Sequence, residues 1–249
     1  MRKRQVVLGV IIARGGSKGL PGKNLALLGK RPLISYTLLA ARQAKALDRV
    51  ILSTDSPDIA KVGRAFGVEV PFLRPAFLAK DTTHTPPVVE HAVRFLERCE
   101  GYRVDLVATL QPTSPFRAPK HIDQGVKALV HQPRLDSVVT VREAAIPPFW
   151  VFRTRGNRLL PFVSDGTDYL LQERQQLPRT VQPNGALYVT RRSLLKKRGV
   201  LVSAFNGGGT GYLLMDRLHS IDIDEPADLL LAVQLLKQHP TLAWWKKNP

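Results

Sequence analysis

The sequence predicts an α/β protein whose sheet is doubly wound and mostly parallel, and three observations support this fold class. Apolar runs of strand length alternate with stretches of helical periodicity along most of the 249 residues. These runs are apolar throughout, as expected for strands that are covered on both faces. Several of them end in glycines or polar residues, where open α/β sheets bind their ligands. A chain of this length suits one domain, 1–249, with a sizeable buried core.

The first two strands and helices follow directly from this pattern. Val6–Ala13 is a continuous apolar run that ends at glycines, so it predicts a buried strand. In Pro32–Ala46 the apolar side chains fall on one helical stripe, and proline is favourable in a first turn. Arg49–Asp55 predicts a second strand, which ends in polar residues. Ser56–Phe66 predicts a short helix that Gly67 closes.

The same alternation continues up to residue 141. Pro86–Glu97 and Pro119–Val130 have helical periodicity. Between them, Val104–Pro115 begins as a strand and runs into a loop that prolines interrupt. Asp136–Val141 predicts a fourth strand.

Residues 142–183 break the pattern, because they are rich in proline, arginine and glutamine and have little periodicity. We interpret this segment as an inserted subdomain. Beyond it, "GALYVT" and "YLLM" predict strands and Arg191–Lys197 predicts a helix. The last helix begins at Pro226, in the segment "HSIDIDEPADLLLAVQLL".

Composition restricts the partners. The formal net charge of +17 favours an anionic partner, but the basic residues are scattered and no aromatic residues are interleaved with them, so we expect no nucleic-acid platform. The apolar runs are too short to span a bilayer, so we expect no membrane insertion. A single cysteine, Cys99, excludes an intrachain disulfide and suits the reducing cytoplasm.

The loop after the first strand, "ARGGSKGLPGKN", has the chemistry of a phosphate site. Its glycines allow backbone amides to approach an anion, and Arg14, Lys18 and Lys23 supply three positive charges. The glycine spacing matches neither the triphosphatase loop nor the dinucleotide fingerprint. Three cations within ten residues suit a triphosphate better than a single phosphate.

Two carboxylates near the C-terminus predict a site for a hard cation. Asp222 and Asp224 are two residues apart, so on an extended strand their side chains share one face. Carboxylate oxygens of this kind bind Mg²⁺. The alternative is that Asp224 caps the final helix, which leaves Asp222 unexplained. A triphosphate loop together with such a pair suggests metal-assisted nucleotidyl transfer.

Taken together, these motifs resemble the acylneuraminate (CMP-sialic or nonulosonic acid) cytidylyltransferases. "ARGGSKGLPGKN" is similar to that family's nucleotide loop. Later segments of the chain resemble the later motifs of that family, in the same order. These segments are "STDS", "LRP", "LAKDTT", "LQPTSPFR", "RQQLP", "PNGALYV" and "SIDIDEPADL". The resemblance implies a Rossmann-like nucleotidyltransferase fold, with 142–183 as a dimerisation subdomain of a cytoplasmic homodimer. It also implies an Mg²⁺-dependent transfer of CMP from CTP to the anomeric hydroxyl of a nonulosonic sugar acid, with release of pyrophosphate.

The resemblance assigns roles to individual residues. It implies that catalysis depends on Arg14, Lys23 and Asp222, and that Asp222 and Asp224 hold Mg²⁺. The implied nucleotide site consists of Arg14, Gly15, Ser17, Lys18, Lys23, Asn24, Arg74, Ala79 and Thr83. The implied sugar site consists of Gln111, Ser114, Arg174, Gln175, Asn184, Gly185 and Tyr188.

Two positions depart from the sialate pattern, and both lie on the sugar side. Gln182 stands where sialate enzymes often carry an arginine, and Trp150 stands where some members carry a lysine that reaches the neighbouring subunit. The identity of the sugar acid is therefore open. The alternatives are an octulosonate (KDO) or other sugar nucleotidyltransferase on the same fold, and a basic nucleic-acid-binding protein without enzymatic activity.

Overall fold

The computed structural model describes residues 4–203 and 208–242, and all elements named below lie in these ranges. The strands are β1 (Val7–Ile12), β2 (Leu27–Leu28), β3 (Arg31–Pro32), β4 (Arg49–Ser53), β5 (Leu106–Leu110), β6 (Ser137–Glu143), β7 (Phe152–Arg155), β8 (Arg158–Pro161), β9 (Val181–Arg191) and β10 (Thr210–Leu214). The helices are α1 (Leu33–Gln43), α2 (Pro57–Ala65), α3 (Thr85–Cys99), α4 (Pro119–His131), α5 (Arg192–Arg198) and α6 (Pro226–Gln238). Within the described ranges, no helix is long and apolar enough to cross a membrane.

The main sheet has the strand order β10-β6-β9-β5-β1-β4. Strand β1 pairs in parallel with β4 and β5, and β6 pairs in parallel with β10. Strand β9 is antiparallel to both of its neighbours, β5 and β6. The expectation of a mostly parallel sheet is confirmed.

Helices cover both faces of this sheet, as the continuous apolar runs require. On one face, Ile34, Ile59 and Ile122 from α1, α2 and α4 belong to one buried apolar cluster. On the other face, Val89 from α3 and Leu195 from α5 belong to a second cluster. The sheet is therefore doubly wound, with the core divided between its two faces.

A third apolar cluster lies near the carboxyl ends of the parallel strands. It contains Leu33 and Tyr36 of α1, Ala232 of α6, and two loop residues, Phe116 and Ile223. Ile223 is fully buried, and its backbone N–H donates to the carbonyl oxygen of Thr113 over 2.8 Å. This packing holds the segment around residue 222 against the loop that follows β5.

The segment predicted as an insertion, 142–183, overlaps the sheet at both ends, because β6 runs to Glu143 and β9 starts at Val181. Between these strands lie the hairpin β7–β8 and three short 3-10 helices. Several of its large apolar side chains are between 60 and 83 % exposed, namely Ile146, Leu159, Phe162, Leu170 and Leu171.

Candidate active site

A cleft with a volume of about 250 Å³ opens at the carboxyl ends of β1 and β5, where an α/β sheet is expected to bind its ligand. It is a polar cleft, and among its charged lining residues cations outnumber carboxylates. The lining residues are Ile12, Arg14, Gly16, Ser17, Lys23, Asn24, Arg74, Leu78, Lys80, Asp81, Thr83, Thr85, Val88, Gln111, Pro112 and Thr113.

The glycine-rich loop is held in place by two hydrogen bonds from its own ends. The backbone N–H of Gly15 donates to Asp55 Oδ1 over 3.0 Å, and Asn24 Nδ2 donates to the carbonyl oxygen of Arg14 over 2.9 Å. The amide of Gly15 is thus directed to a carboxylate, while Gly16 and Ser17 line the cleft. Gly22 has a φ of 65°, which favours glycine where the loop turns into the short 3-10 helix Lys23–Leu25.

The cations of the cleft differ in burial. Arg74 is only 6 % exposed, and its guanidinium donates to the hydroxyl and carbonyl oxygens of Ser53 and to the carbonyl oxygen of Ala13. Burial lowers the pKa of Arg74 to about 10, opposed by Asp55 and reinforced by Arg14. Arg74 therefore stays charged at neutral pH and brings a buried positive charge to the base of the cleft.

Asp81 lies between two of the cations that the sequence assigns to a triphosphate. Its carboxylate is 2.5 Å from Arg14 Nη1 and 3.2 Å from Lys18 Nζ. The hydrogen bond from Lys18 and the contact with Arg14 hold the pKa of Asp81 below its usual range. In this structure, a side chain of the protein itself neutralises the positive charge of the loop.

The two C-terminal carboxylates reach the same loop from the other end of the chain. Asp224 Oδ1 is 2.8 Å from Lys23 Nζ, a residue 201 positions earlier, and the Lys23 side chain is only 13 % exposed. Gly19 packs so closely on this segment that a Cβ atom there would lie 2.6 Å from the Asp224 carbonyl oxygen. The glycine loop and the segment around residue 224 therefore form one unit.

The expectation that Asp222 and Asp224 sit on an extended strand is wrong, because residues 221–224 form no strand. This segment is held by one backbone hydrogen bond, from the Ile223 N–H to the Thr113 carbonyl oxygen, and not by the hydrogen-bond ladder of a sheet. Asp224 is not the N-cap of α6 either, since that position belongs to Glu225. The backbone N–H groups of Asp224 and Glu225 instead donate to Asp228 Oδ2, over 3.0 and 2.9 Å.

Asp222 is half-buried, and its Oδ1 atom is buried with no hydrogen-bond partner among the described residues. Burial raises the pKa of this carboxyl, and the charge of Asp224 raises it further, while the Thr113 hydroxyl and Lys23 oppose the rise. Within the described ranges, no group of three or more His, Cys, Asp or Glu side chains is arranged to hold a metal ion. Two carboxylates with an orphaned oxygen still fit a cation such as Mg²⁺, which commonly takes one or two protein carboxylates together with phosphate oxygens and water.

Part of the predicted sugar site lies beside Asp222. Gln111 lines the cleft. Gly185 has a φ of 74°, and a Cβ atom there would lie 3.6 Å from both Asp222 Oδ2 and Gln111 Oε1. Burial and the nearby Asp222 carboxylate raise the pKa of Tyr188, which keeps its hydroxyl protonated. Ser114 lies in the loop that follows β5, as Gln111 does. It is buried, and its hydroxyl has no hydrogen-bond partner among the described residues.

The structure does not bring the other predicted sugar residues to the cleft of this chain. Buried Asn184 donates to the Ser220 hydroxyl over 2.9 Å, and its own carbonyl oxygen accepts from the backbone of Ala186. In the insertion, Arg174 donates to the carbonyl oxygens of Ala144 and Ala145. Gln175, next to it, is exposed and donates to Glu173.

Of the remaining predicted nucleotide residues, Thr83 lines the cleft and Ala79 does not. Ala79 follows the 3-10 helix Ala76–Leu78 and lies between the lining residues Leu78 and Lys80. The Thr83 hydroxyl donates to the carbonyl oxygen of Phe77 over 3.3 Å.

Sequence reasoning assigned no role to Lys80, Asp81 or Arg117, although all three belong to motifs that it singled out. Lys80 and Asp81 lie within "LAKDTT", and Arg117 ends "LQPTSPFR". The signal available for Asp81 was its place in "LAKDTT", the motif that also contains the predicted nucleotide residues Ala79 and Thr83. Nothing in the sequence separated Arg117 from the many exposed arginines.

The sequence of this chain is similar to those of known cytidylyltransferases. A family model described as cytidylyltransferase matches residues 8–155. A CMP-N,N'-diacetyllegionaminic acid synthase from Legionella pneumophila is 35% identical over 93% of this chain and 96% of its own length. An N-acylneuraminate cytidylyltransferase from Escherichia coli is 31% identical over 93% of this chain and 52% of its own length.

A solved structure of a CMP:2-keto-3-deoxy-manno-octonic acid synthetase complexed with CTP has a similar fold. Its TM-score is 0.68 at 19% identity, and the match covers 94% of this chain and 99% of the other. This likeness supports the fold assignment alone.

Proposed function

The chain belongs to the cytidylyltransferase family, and we propose that it transfers CMP from CTP to the anomeric hydroxyl of a nonulosonic sugar acid. The observation that carries the proposal is the single unit formed by a cationic glycine loop and the Asp222–Asp224 segment. The names of the two relatives, from Legionella pneumophila and Escherichia coli, favour a sugar acid of the legionaminate or neuraminate type.

The nucleotide half of the cleft comprises residues 14–24 and 74–83. Arg14, Lys23 and Arg74 are its semi-buried or buried cations, and Lys80 adds a fourth positive charge. A triphosphate carries several negative charges, so binding it requires such a concentration of cations. The supporting observation is that these side chains converge although they come from two separate segments.

The acceptor half comprises Gln111, Gly185, Tyr188 and Asp222. It offers an amide, a hydroxyl and a carboxylate, with the backbone of Gly185 close to both Gln111 and Asp222, and these polar groups suit a polyhydroxylated acid. Asp222 and Asp224 are proposed to hold Mg²⁺, since Asp222 Oδ1 lacks another partner among the described residues. When bound there, the cation supplies Lewis acidity and charge neutralisation at the phosphates.

In the proposed reaction, the anomeric oxygen bonds to the α-phosphorus as the bond from that phosphorus to the bridging oxygen breaks. The proton of the anomeric hydroxyl passes to solvent water, and pyrophosphate leaves with the bridging oxygen. Phosphoryl transfer of this kind requires alignment and charge neutralisation more than covalent help from the protein. Arg14 and Lys23 would neutralise the leaving pyrophosphate, and Gln111 and Gly185 would orient the acceptor.

We also propose that the protein is a cytoplasmic homodimer that pairs through the inserted segment. The supporting observation is that several large apolar side chains of this segment are exposed, and a second copy of the chain could bury them. Leu171 is 83 % exposed, so Leu171→Glu should yield a monomer in light scattering coupled to gel filtration. A monomeric wild type would refute the dimer.

The proposed function is tested by measuring pyrophosphate release with CTP and a panel of acceptors. The panel holds N,N′-diacetyllegionaminate, N-acetylneuraminate, 3-deoxy-manno-octulosonate and a neutral sugar phosphate, each with and without Mg²⁺. We expect turnover with one of the two nonulosonates, and loss of turnover in Asp222→Asn. Preference for the octulosonate or for the neutral sugar would overturn the proposal.

A further inference from the structure

Arg117 is a fully buried arginine whose charge has no carboxylate partner in the described part of the chain. Its side chain is 0 % exposed, and the ion pairs found among the described residues do not include it. Burial lowers its pKa to about 9. A buried cation without a counter-ion is costly, so it persists only where its hydrogen bonds are needed.

Those hydrogen bonds act just beyond the end of the β5–β9 ladder, whose final pair is Leu110 and Leu187, and they tie this end of the ladder to α1. Arg117 Nη1 donates to the carbonyl oxygen of Gln111 over 3.1 Å and to that of Ala186 over 2.5 Å. Arg117 Nη2 donates to the Thr37 hydroxyl over 2.7 Å. One side chain therefore links the end of β5, the strand β9 and the helix α1.

Both backbone carbonyls belong to walls of the acceptor half. Gln111 lines the cleft, and Ala186 directly follows Gly185. Asp222 Oδ2 and Gln111 Oε1 border the space beside Gly185. The separation between these two walls determines the space in which an acceptor is held, and the guanidinium spans that separation.

We propose that Arg117 is a positioning residue for the acceptor, which sets the distance between Gln111 and Gly185 without touching the substrate. The inference rests on the proposed function. It assigns Arg117 to the sugar acid alone, because its three bonds reach none of the residues of the nucleotide half. A planar guanidinium can donate to two carbonyls and a hydroxyl at once, which an ammonium on a flexible stem cannot reproduce.

The test compares Arg117→Lys and Arg117→Met with the wild type, with CTP and N,N′-diacetyllegionaminate varied separately. We expect Arg117→Lys to raise KM for the acid and to lower kcat about tenfold or more, since small misplacements at a reacting centre are costly. KM for CTP should stay within about twofold of the wild-type value, since the nucleotide half is untouched. Arg117→Met should raise KM for the acid and lower kcat further than Arg117→Lys does. If the methionine variant does not fold, the lysine variant alone decides the test.

Arg192→Met is the matched control for a purely structural arginine. Arg192 is also largely buried, but it pairs with Glu90 and Glu97 on α3. We expect this control to lower the melting temperature and to leave both KM values unchanged. The same pattern in Arg117→Lys, or equal changes in both KM values, would overturn the inference.

A double-mutant cycle with Gln111→Ala provides an independent readout. If Arg117 acts through Gln111, then Arg117→Lys should lower kcat/KM for the sugar acid much less in the Gln111→Ala background than in the wild type. Additive effects would overturn the inference. An inactive wild type would overturn the proposed function and the inference with it, whereas an active wild type with an unaffected Arg117→Lys would overturn the inference alone.

Discussion

The nucleotide half of the cleft is built from two continuous segments, 14–24 and 74–83, whereas the acceptor half draws its side chains from single positions far apart in the chain. In the nucleotide half, Arg14, Ser17, Lys23 and Asn24 all lie in the stretch that directly follows β1. In the acceptor half, Gln111, Gly185 and Asp222 come from three segments that only packing brings together. Short-range patterns in the sequence therefore describe the first half well and the second half poorly.

The insertion sharpens this contrast. Arg174 and Gln175, which the sequence assigns to the sugar, bond within the insertion and do not reach the cleft of the same chain. By contrast, the described residues that line the nucleotide half include none of the insertion, and beyond its own two segments this half reaches Asp224 through Lys23. The two halves should accordingly respond differently to substitution.

The largest expected effect within the nucleotide half is at Lys23. Its side chain is 13 % exposed, whereas that of Lys18 is 81 % exposed, although the sequence assigns both to the triphosphate. We expect Lys23→Met to lower kcat/KM for CTP roughly 100- to 1,000-fold, because the proposed function uses this semi-buried charge to neutralise the phosphates and water screens it little.

Lys18→Met is the matched control in the same pyrophosphate-release assay. We expect it to change kcat/KM by no more than about fivefold, because solvent screens a charge that is this exposed. Similar losses in the two variants would show that burial does not distinguish these lysines.

The next largest effect is expected at Gly19, and it tests whether the glycine loop and the segment around residue 224 act as one unit. Gly19→Ala would place a Cβ atom 2.6 Å from the Asp224 carbonyl oxygen, so the segment carrying the carboxylates must shift. We expect kcat to fall about 10- to 100-fold in steady-state assays at saturating CTP and Mg²⁺. A Cβ atom at Gly16 would lie within 4 Å of no atom of the described residues and would enter the cleft, so Gly16→Ala should raise KM for CTP and spare kcat. The opposite pattern would contradict the Gly19–Asp224 contact.

A smaller effect, of opposite sign, is expected at Asp81. Its carboxylate occupies Arg14 and Lys18, so a triphosphate that uses these cations must displace it. We expect Asp81→Asn to lower the dissociation constant for CTP about two- to fivefold, measured by titration calorimetry. Weaker CTP binding in this variant would mean that Asp81 contacts the nucleotide directly.

The last effect concerns acid stability at α4, outside the lining of the cleft, where buried His121 packs against the His219 ring at 4.9 Å between centroids. Burial lowers the pKa of His121 to about 3, from 6.5 in the unfolded chain, and His219 and Lys120 add to this. The unfolded state therefore binds more protons between these values, so stability present above pH 6.5 is lost as the pH falls.

His121→Asn keeps an acceptor for the Ala118 N–H, which bonds to His121 Nδ1 over 3.1 Å, but removes the titration. Between pH 7 and pH 4, we expect the wild-type free energy of unfolding to fall by up to about 3 kcal/mol more than that of the variant. Urea denaturation of both proteins at pH 7 and pH 4 measures these free energies of unfolding. Parallel losses in the two proteins would exclude His121 as the acid-sensitive group.

Much of the fold was predictable because its signals are local. The apolar runs at 6–13 and 49–55, the short helix at 56–66 and the closing glycine at 67 each follow from adjacent residues. In the structure the Ser56 hydroxyl accepts from the Ile59 N–H, and Gly67 has a φ of 70°, as those signals require. The direction of β9 was not predictable, since the pattern of a strand buried on both faces does not depend on its direction.

The sequence by itself determined the order of the main-sheet strands and of helices α1 to α6, the cationic glycine loop and the family resemblance that the comparisons bear out. Each of these depends on which residues are neighbours along the chain. Only the tertiary structure decided that Gly19 packs on Asp224, that Asp81 neutralises the loop and that Arg117 spans the acceptor walls. These contacts join residues far apart in sequence, and their free energy depends on burial and distance, which appear only once the core has formed.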